Sequence, residues 1–136
     1  MTFQVLGLDH VVLRVRDIEL ALGFYRDVLG CSLERSLEEM GLYQLRAGRS
    51  LIDLVPVESE LGRMGGAPPG SDGRNVDHIA LRIDPFDAEA LRTHLEAHGI
   101  TMGEVARRYG AEGQGPSIYI EDPDGNTIEL KGPPET

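Results

Sequence analysis

Cysteine is nearly absent from these 136 residues: Cys31 stands alone. An internal disulfide framework is therefore excluded, and the composition suits a reducing compartment. With no recognisable partner in its neighbourhood, Cys31 reads as a buried, inert thiol. Long hydrophobic runs are missing too. No stretch approaches the roughly 20 apolar residues of a membrane span, and the N-terminus lacks a signal-peptide pattern. The expectation is a cytoplasmic protein with no membrane partner. Positive charge is scarce, with 13 Lys and Arg against 23 Asp and Glu and a formal net charge of −10. That balance repels phosphate backbones, so no nucleic-acid partner is expected.

Several catalytic signatures are also absent. The glycine- and proline-rich stretch "GRMGGAPPGSDG" has no Gly-Lys-Ser/Thr and no spaced glycine fingerprint leading from a strand into a helix. It reads as a linker or lid, not a phosphate loop. No Ser-His-Asp nucleophile context appears. His94-Leu95-Glu96-Ala97-His98 carries its glutamate in the third position, where the zinc-protease helix needs it second, so both histidines read as surface residues.

What is present is a repeat. Asp9–Val15, "DHVVLRV", returns as Asp77–Ile83, "DHIALRI", at an offset of half the chain. A helix signal follows each copy. Asp17 caps the first, with Ile18, Leu22, Tyr25, Val28 and Leu29 at helical spacing and Gly30 at its end. Asp84-Pro85 reads as the capped start of the second, with Phe86, Ala90, Leu91 and Leu95 as its stripe and Gly99 as its stop. Three strand-like segments follow each helix. They are 32–37, 42–46 and 50–57 in the first half, and 101–109, 117–121 and 126–131 in the second. Asp122-Pro123-Asp124-Gly125 is a strong tight-turn signal. The predicted fold is α+β. Tandem βαβββ modules form a curved mixed sheet around a metal cleft, with module one at about 5–57, a linker at 58–75 and module two at about 76–131 of a single 1–136 domain.

Alternation along strands converts this repeat into a candidate site. Val11, Leu13 and Val15 share one face of the first strand, and His10, Val12 and Arg14 the other. Ile79, Leu81 and Ile83 oppose His78, Ala80 and Arg82 in the same way. In the last strands, Ile52 and Leu54 point to the core and Asp53 away from it; Ile128 and Leu130 point to the core and Glu129 away. Two modules related by an approximate two-fold axis would bring His10, Asp53, His78 and Glu129 to one sheet face. Any one of the four alone reads as a core or solvated strand residue. Four in register read as ligands of a divalent transition metal (Ni, Co, Zn, Mn or Fe), with positions left open to water or substrate. Arg14 and Arg82, roughly 6.6 Å along the strand from their histidines, leave two readings: holders of an anionic substrate group, or rim ion pairs. Tyr119, with Tyr43 and Ser117, is a candidate for the pocket lining. Asp9 and Asp77 read as turn or supporting residues.

The duplicated strand-helix-three-strand pattern, with "LDHVVLRV", "FYRDVLG", "VDHIALRI" and "IYIEDPDGNTIEL", resembles the vicinal oxygen chelate superfamily, which includes glyoxalase I, extradiol dioxygenases, fosfomycin-modifying enzymes and bleomycin-binding proteins. The resemblance spans nearly the whole chain. It implies metal-ligand positions at His10, Asp53, His78 and Glu129, although glyoxalase I would carry glutamate or glutamine at 53. It implies a glutathione contact at Arg14, while Val57 stands where bacterial glyoxalase I has a glutathione-binding asparagine. The implied chemistry is chelation of a small-molecule substrate through neighbouring oxygens. In a glyoxalase-type isomerase or lyase, Glu129 would be the base that moves a proton next to a carbonyl. The alternatives are a non-haem iron dioxygenase built on His10, His78 and Glu129, and a metal-free drug-binding protein. The family's habit of pairing sheets between chains implies a homodimer.

Overall fold

The computed structural model describes residues 2–135. The chain divides into two compact units, Met1–Pro69 and Gly70–Thr136. Among the described residues no helix is long and apolar enough to cross a membrane.

The first unit contains β1 (His10–Val15), α1 (Ile18–Leu22), β2 (Ser32–Leu37), β3 (Leu42–Ala47), β4 (Ser50–Pro56) and α2 (Glu60–Arg63). Asp17 caps α1 as its sequence suggests, its carboxylate accepting from the amides of Glu19 at 3.0 Å and Leu20 at 3.2 Å. The helix widens into a π-helical turn over Gly23–Val28 and stops before Gly30, whose φ of +77° favours glycine. The strands form one sheet in the order β1-β4-β3-β2, with β1 parallel to β4 and the other pairs antiparallel. Leu13, Val15, Leu45 and Leu54 are fully buried on one face of that sheet, with Tyr25 from the π-helical turn. This is the aliphatic face predicted by alternation.

The second unit repeats the plan with β5 (Ile79–Arg82), α3 (Ala88–Ala97), β6 (Ala106–Gly110), β7 (Gly113–Glu121) and β8 (Thr127–Lys131). Its sheet order is β5-β8-β7-β6, and β5 runs parallel to β8. Ile118, Ile120, Ile128 and Leu130 are buried. The β7–β8 turn is built on Asp122, whose carboxylate accepts from the amides of Asp124 and Asn126 at 2.9 and 2.8 Å and from the Asn126 side chain at 2.8 Å.

Three boundaries differ from the sequence reading. The cap of α3 is Asp87, which accepts from the Ala90 amide at 3.1 Å, and Asp84-Pro85 lies in the turn before it. The Asp87 carboxylate meets the amide three residues on, the spacing of a helix N-cap. The strands flanking the last hairpin are also shifted: β6 begins at Ala106 instead of 101, and β7 at Gly113 instead of 117. Gly113-Gln114-Gly115-Pro116 looks like a loop, yet it pairs with β6, Gly115 lying opposite Arg108. A Cβ on Gly115 would meet the Pro133 carbonyl oxygen at 2.5 Å, so this strand position is reserved for glycine by close backbone approach.

Candidate functional site

In the first unit, β1 and β4 run side by side, with His10 opposite Leu51, Val12 opposite Asp53 and Arg14 opposite Val55. His10, Val12 and Asp53 therefore share the sheet face away from Leu13 and Leu54. Asp53 is only 3% exposed. Its Oδ2 accepts from Gln44 Nε2 at 3.2 Å, whereas Oδ1 is buried and has no hydrogen-bond partner among the described residues. An unsatisfied buried acceptor costs about 1–3 kcal/mol, and more for a charged group. A cation at Oδ1 removes that cost.

His10 Nδ1 lies 2.7 Å from Asp9 Oδ2. A carboxylate only accepts, so Nδ1 carries the proton and, in the neutral ring, Nε2 presents a lone pair. This is the arrangement by which an outer carboxylate orients a metal-binding imidazole. The Asp9 hydrogen bond, followed by the charge of Asp53, raises the His10 pKa above the ordinary 6.5. Both acids favour the imidazolium, so their contribution to stability is complete below pH 6.5 and disappears as pH rises through the raised value. Metal binding needs the deprotonated form and must strengthen across the same upward window. Asp9→Asn is expected to lower the His10 midpoint in an NMR pH titration, and an unchanged midpoint would remove Asp9 from this role.

The second unit repeats the geometry. Glu129 lies between Ala80 of β5 and Tyr119 of β7, and is 6% exposed. His78 Nδ1 is 2.7 Å from Asp77 Oδ1, and the hydrogen bond from His78 holds Asp77 below its usual carboxylate range. His78 Nε2 is 3.3 Å from Glu129 Oε1. With the proton on Nδ1, two acceptors face each other across that gap, so a second proton or a metal ion belongs between them.

The other sequence candidates separate. Tyr119 lies on the Glu129 face, edge-on to His78 with ring centroids 5.6 Å apart. Ser117 shares that face and is fully buried. Tyr43 pairs with Leu54 and so lies on the opposite face from Asp53. The Arg14 guanidinium donates to the carbonyls of Gly62, Gly66 and Ala67 at 3.2, 3.0 and 2.7 Å, tying down the segment after α2. Arg82 pairs with Glu112 at 2.8 Å, the rim ion pair of its two readings. His94 and His98 are exposed on α3, and Cys31 is buried, burial pushing its thiol pKa up.

Among the described residues no three His, Cys, Asp or Glu side chains gather into a metal-holding group. Each unit presents one pair, an oriented imidazole and a buried carboxylate. Within each pair the donor chemistry, an imidazole nitrogen whose Nδ1 is already bonded and a buried carboxylate, is of the kind a divalent transition metal takes.

A paired βαβββ fold with a histidine at the start and a carboxylate in the last strand of each half defines a recognisable class. The family profile described as "Glyoxalase/Bleomycin resistance protein/Dioxygenase superfamily" matches residues 7–130, and the chain belongs to that superfamily. It is similar to virulence protein STM3117 of Salmonella typhimurium, 36% identical over 125 residues covering 90% of this chain and 81% of that protein. The crystal structure of the same virulence protein superposes with a TM-score of 0.77 at 31% identity, covering 96% of this chain and 98% of that one. Lactoylglutathione lyase of Haemophilus influenzae is 32% identical over 124 residues, covering 89% of this chain and 88% of the enzyme. Glutathione transferase FosA of Serratia marcescens is 31% identical over 124 residues, covering 91% and 79%.

Proposed function

We propose that the protein is a metal-dependent, glyoxalase-like isomerase or lyase acting on a small oxygenated substrate. The observation that carries this reading is the orphaned, buried Oδ1 of Asp53, together with the repeat of the same oriented histidine and buried acid in the second unit. His10, Asp53, His78 and Glu129 are the proposed ligands of a divalent transition metal. His10 and Asp53 come from the first unit, His78 and Glu129 from the second. The relatives named as lactoylglutathione lyase support the isomerase branch.

The bound metal would act as a Lewis acid toward neighbouring substrate oxygens. The chain's own residues do the rest. Asp9 and Asp77 hold the two imidazoles in one tautomer. Buried Glu129, opposite Tyr119, takes a proton from the carbon beside the carbonyl and returns it to the next carbon. Its burial keeps water from competing for that proton.

The test is metal analysis of purified protein after supplementation with each of Ni, Co, Zn, Mn and Fe, joined to a turnover screen with methylglyoxal and thiols. About one metal per proposed site and metal-dependent consumption of the dicarbonyl are expected. A chain that takes up none of the five ions overturns the proposal.

A further inference from the structure

Helix α3 carries two imidazoles that the proposed chemistry leaves unused. His94 and His98 stand four residues apart, so on the helix they are neighbours on one face, a turn apart. Leu95 is buried, and both histidines are exposed beside it. Their ring centroids are 4.8 Å apart, with the planes tilted by 57°. The end of the helix explains how His98 is held. The amides of His98 and Gly99 reach back to the carbonyls of Leu95 and Glu96, each at 3.0 Å, and the Ile100 amide also takes Leu95, at 2.9 Å. The His94 carbonyl is one of the last-turn acceptors that a helix leaves over, and the His98 ring meets it, Nδ1 to oxygen at 3.0 Å. A carbonyl only accepts, so Nδ1 carries the proton and, in the neutral ring, Nε2 of His98 presents a lone pair. A backbone carbonyl holding the other ring nitrogen is a common support of a metal-bound imidazole. Capping accounts for His98 alone and does not call for a second imidazole beside it. Among the described residues no third His, Cys, Asp or Glu joins the pair.

We propose that His94 and His98 form a surface chelate for copper(II), held by the two imidazoles with water completing the coordination. Two histidines at this spacing on one helix are the metal-binding half of the zinc-protease motif. The third-position glutamate excludes the protease chemistry and leaves that spacing intact. Two protein donors are too few for structural zinc, which is almost always held by four. Imidazole also suits copper, which stands highest of the divalent first-row ions in intrinsic affinity and accepts tetragonal nitrogen–oxygen sets. Both donors sit on one helix, so the pair needs little reordering to meet a single ion. The formal net charge of −10 favours the approach of a cation. Neither histidine belongs to the ligand set proposed above, so this inference does not rest on the proposed function.

The experiment is a copper(II) titration of the metal-free, isotope-labelled full chain, followed by its amide NMR signals. The paramagnetic ion broadens signals close to where it binds, so location is read directly. In wild type the amides of residues 94–99 are expected to broaden early in the titration. His94→Ala and His98→Asn should each need about tenfold or more copper for the same effect, at least the loss caused by removing an outer partner of a metal ligand. Asparagine at 98 can still donate to the His94 carbonyl, so this variant separates capping from metal binding. Both positions are exposed, and the fold of each variant is checked on the same spectra. Absence of early broadening over 94–99, undiminished broadening in either folded variant, or loss in only one of the two overturns the chelate. Signals around His10, Asp53, His78 and Glu129 report the other proposed site in the same titration. Broadening at α3 that depends on both histidines, with none around those four, leaves this inference standing and counts against the other. Broadening around those four with none at α3 does the reverse.

Discussion

Glu129→Gln is expected to lower turnover of the dicarbonyl–thiol substrate by about 10²–10⁴-fold, the usual worth of a positioned general base. The substitution keeps size and shape. Glu129 is 6% exposed and lies between Ala80 and Tyr119, so an isosteric amide fills the same space. What the amide lacks is a site for the proton. Substrate affinity should change far less than kcat, because the amide keeps the size of the acid and its nitrogen can donate to His78 Nε2 across the 3.3 Å gap. Metal content measured on the same sample separates the two roles proposed for Glu129. If activity falls while metal is retained, Glu129 is the base. If metal and activity fall together, it serves as ligand, and if turnover holds within about threefold of wild type the proton-transfer role is lost.

Much of the architecture is legible from strand alternation, because its period of two converts a repeated heptad directly into a face. Leu13, Val15, Ile52, Leu54, Ile128 and Leu130 are buried as that rule requires. What alternation does not give is whether the opposite face meets water. Asp53 and Glu129 are both buried, although each would ordinarily be expected on a solvated surface. Their burial is a tertiary fact with no local signature. The contacts of Asp9 and Asp77 are hidden for a different reason. β1 begins at His10 and β5 at Ile79, so each aspartate precedes its strand and is not bound by alternation to point away from its histidine. The doubled "DH" is the signal available, but spacing alone names no contact.

Arg108 is hidden by register. "ARRYG" offers two adjacent arginines, and only the pairing of Arg108 with Gly115 places one of them over Tyr119. That pairing lies in the glycine-rich stretch that reads as loop, because glycine is normally unfavourable in strands. The true cap of α3 is obscured by a competing Asp-Pro signal three residues earlier, a matter of which carboxylate reaches an amide.

Asp53→Leu should move the metal-free and metal-loaded stabilities in opposite directions. Without metal, wild type buries a carboxylate with one oxygen bonded to Gln44 and the other to nothing among the described residues. Leucine has nearly the same shape and joins Val12, Leu51 and Val55 on its face of the sheet. Half-buried Gln44 can turn its freed amide toward water. Removing a poorly satisfied buried polar group in favour of an apolar one is worth about 1–3 kcal/mol. In chelator the variant should therefore melt several degrees higher than wild type, at about 3 °C per kcal/mol for a chain of this size. Adding metal reverses the order. A ligand at 100 times its dissociation constant stabilises the native state by about 2.7 kcal/mol, and the variant, short of one proposed ligand, should show little of that gain. Thermal unfolding in chelator and in excess nickel reads both signs on one pair of proteins. A variant destabilised in chelator would show that Asp53 has protein partners enough to justify its burial, and a full metal-induced shift in the variant would show that its carboxylate is not needed to hold the ion. Only a site kept costly in the empty protein for the sake of the filled one predicts a gain on one side and a loss on the other.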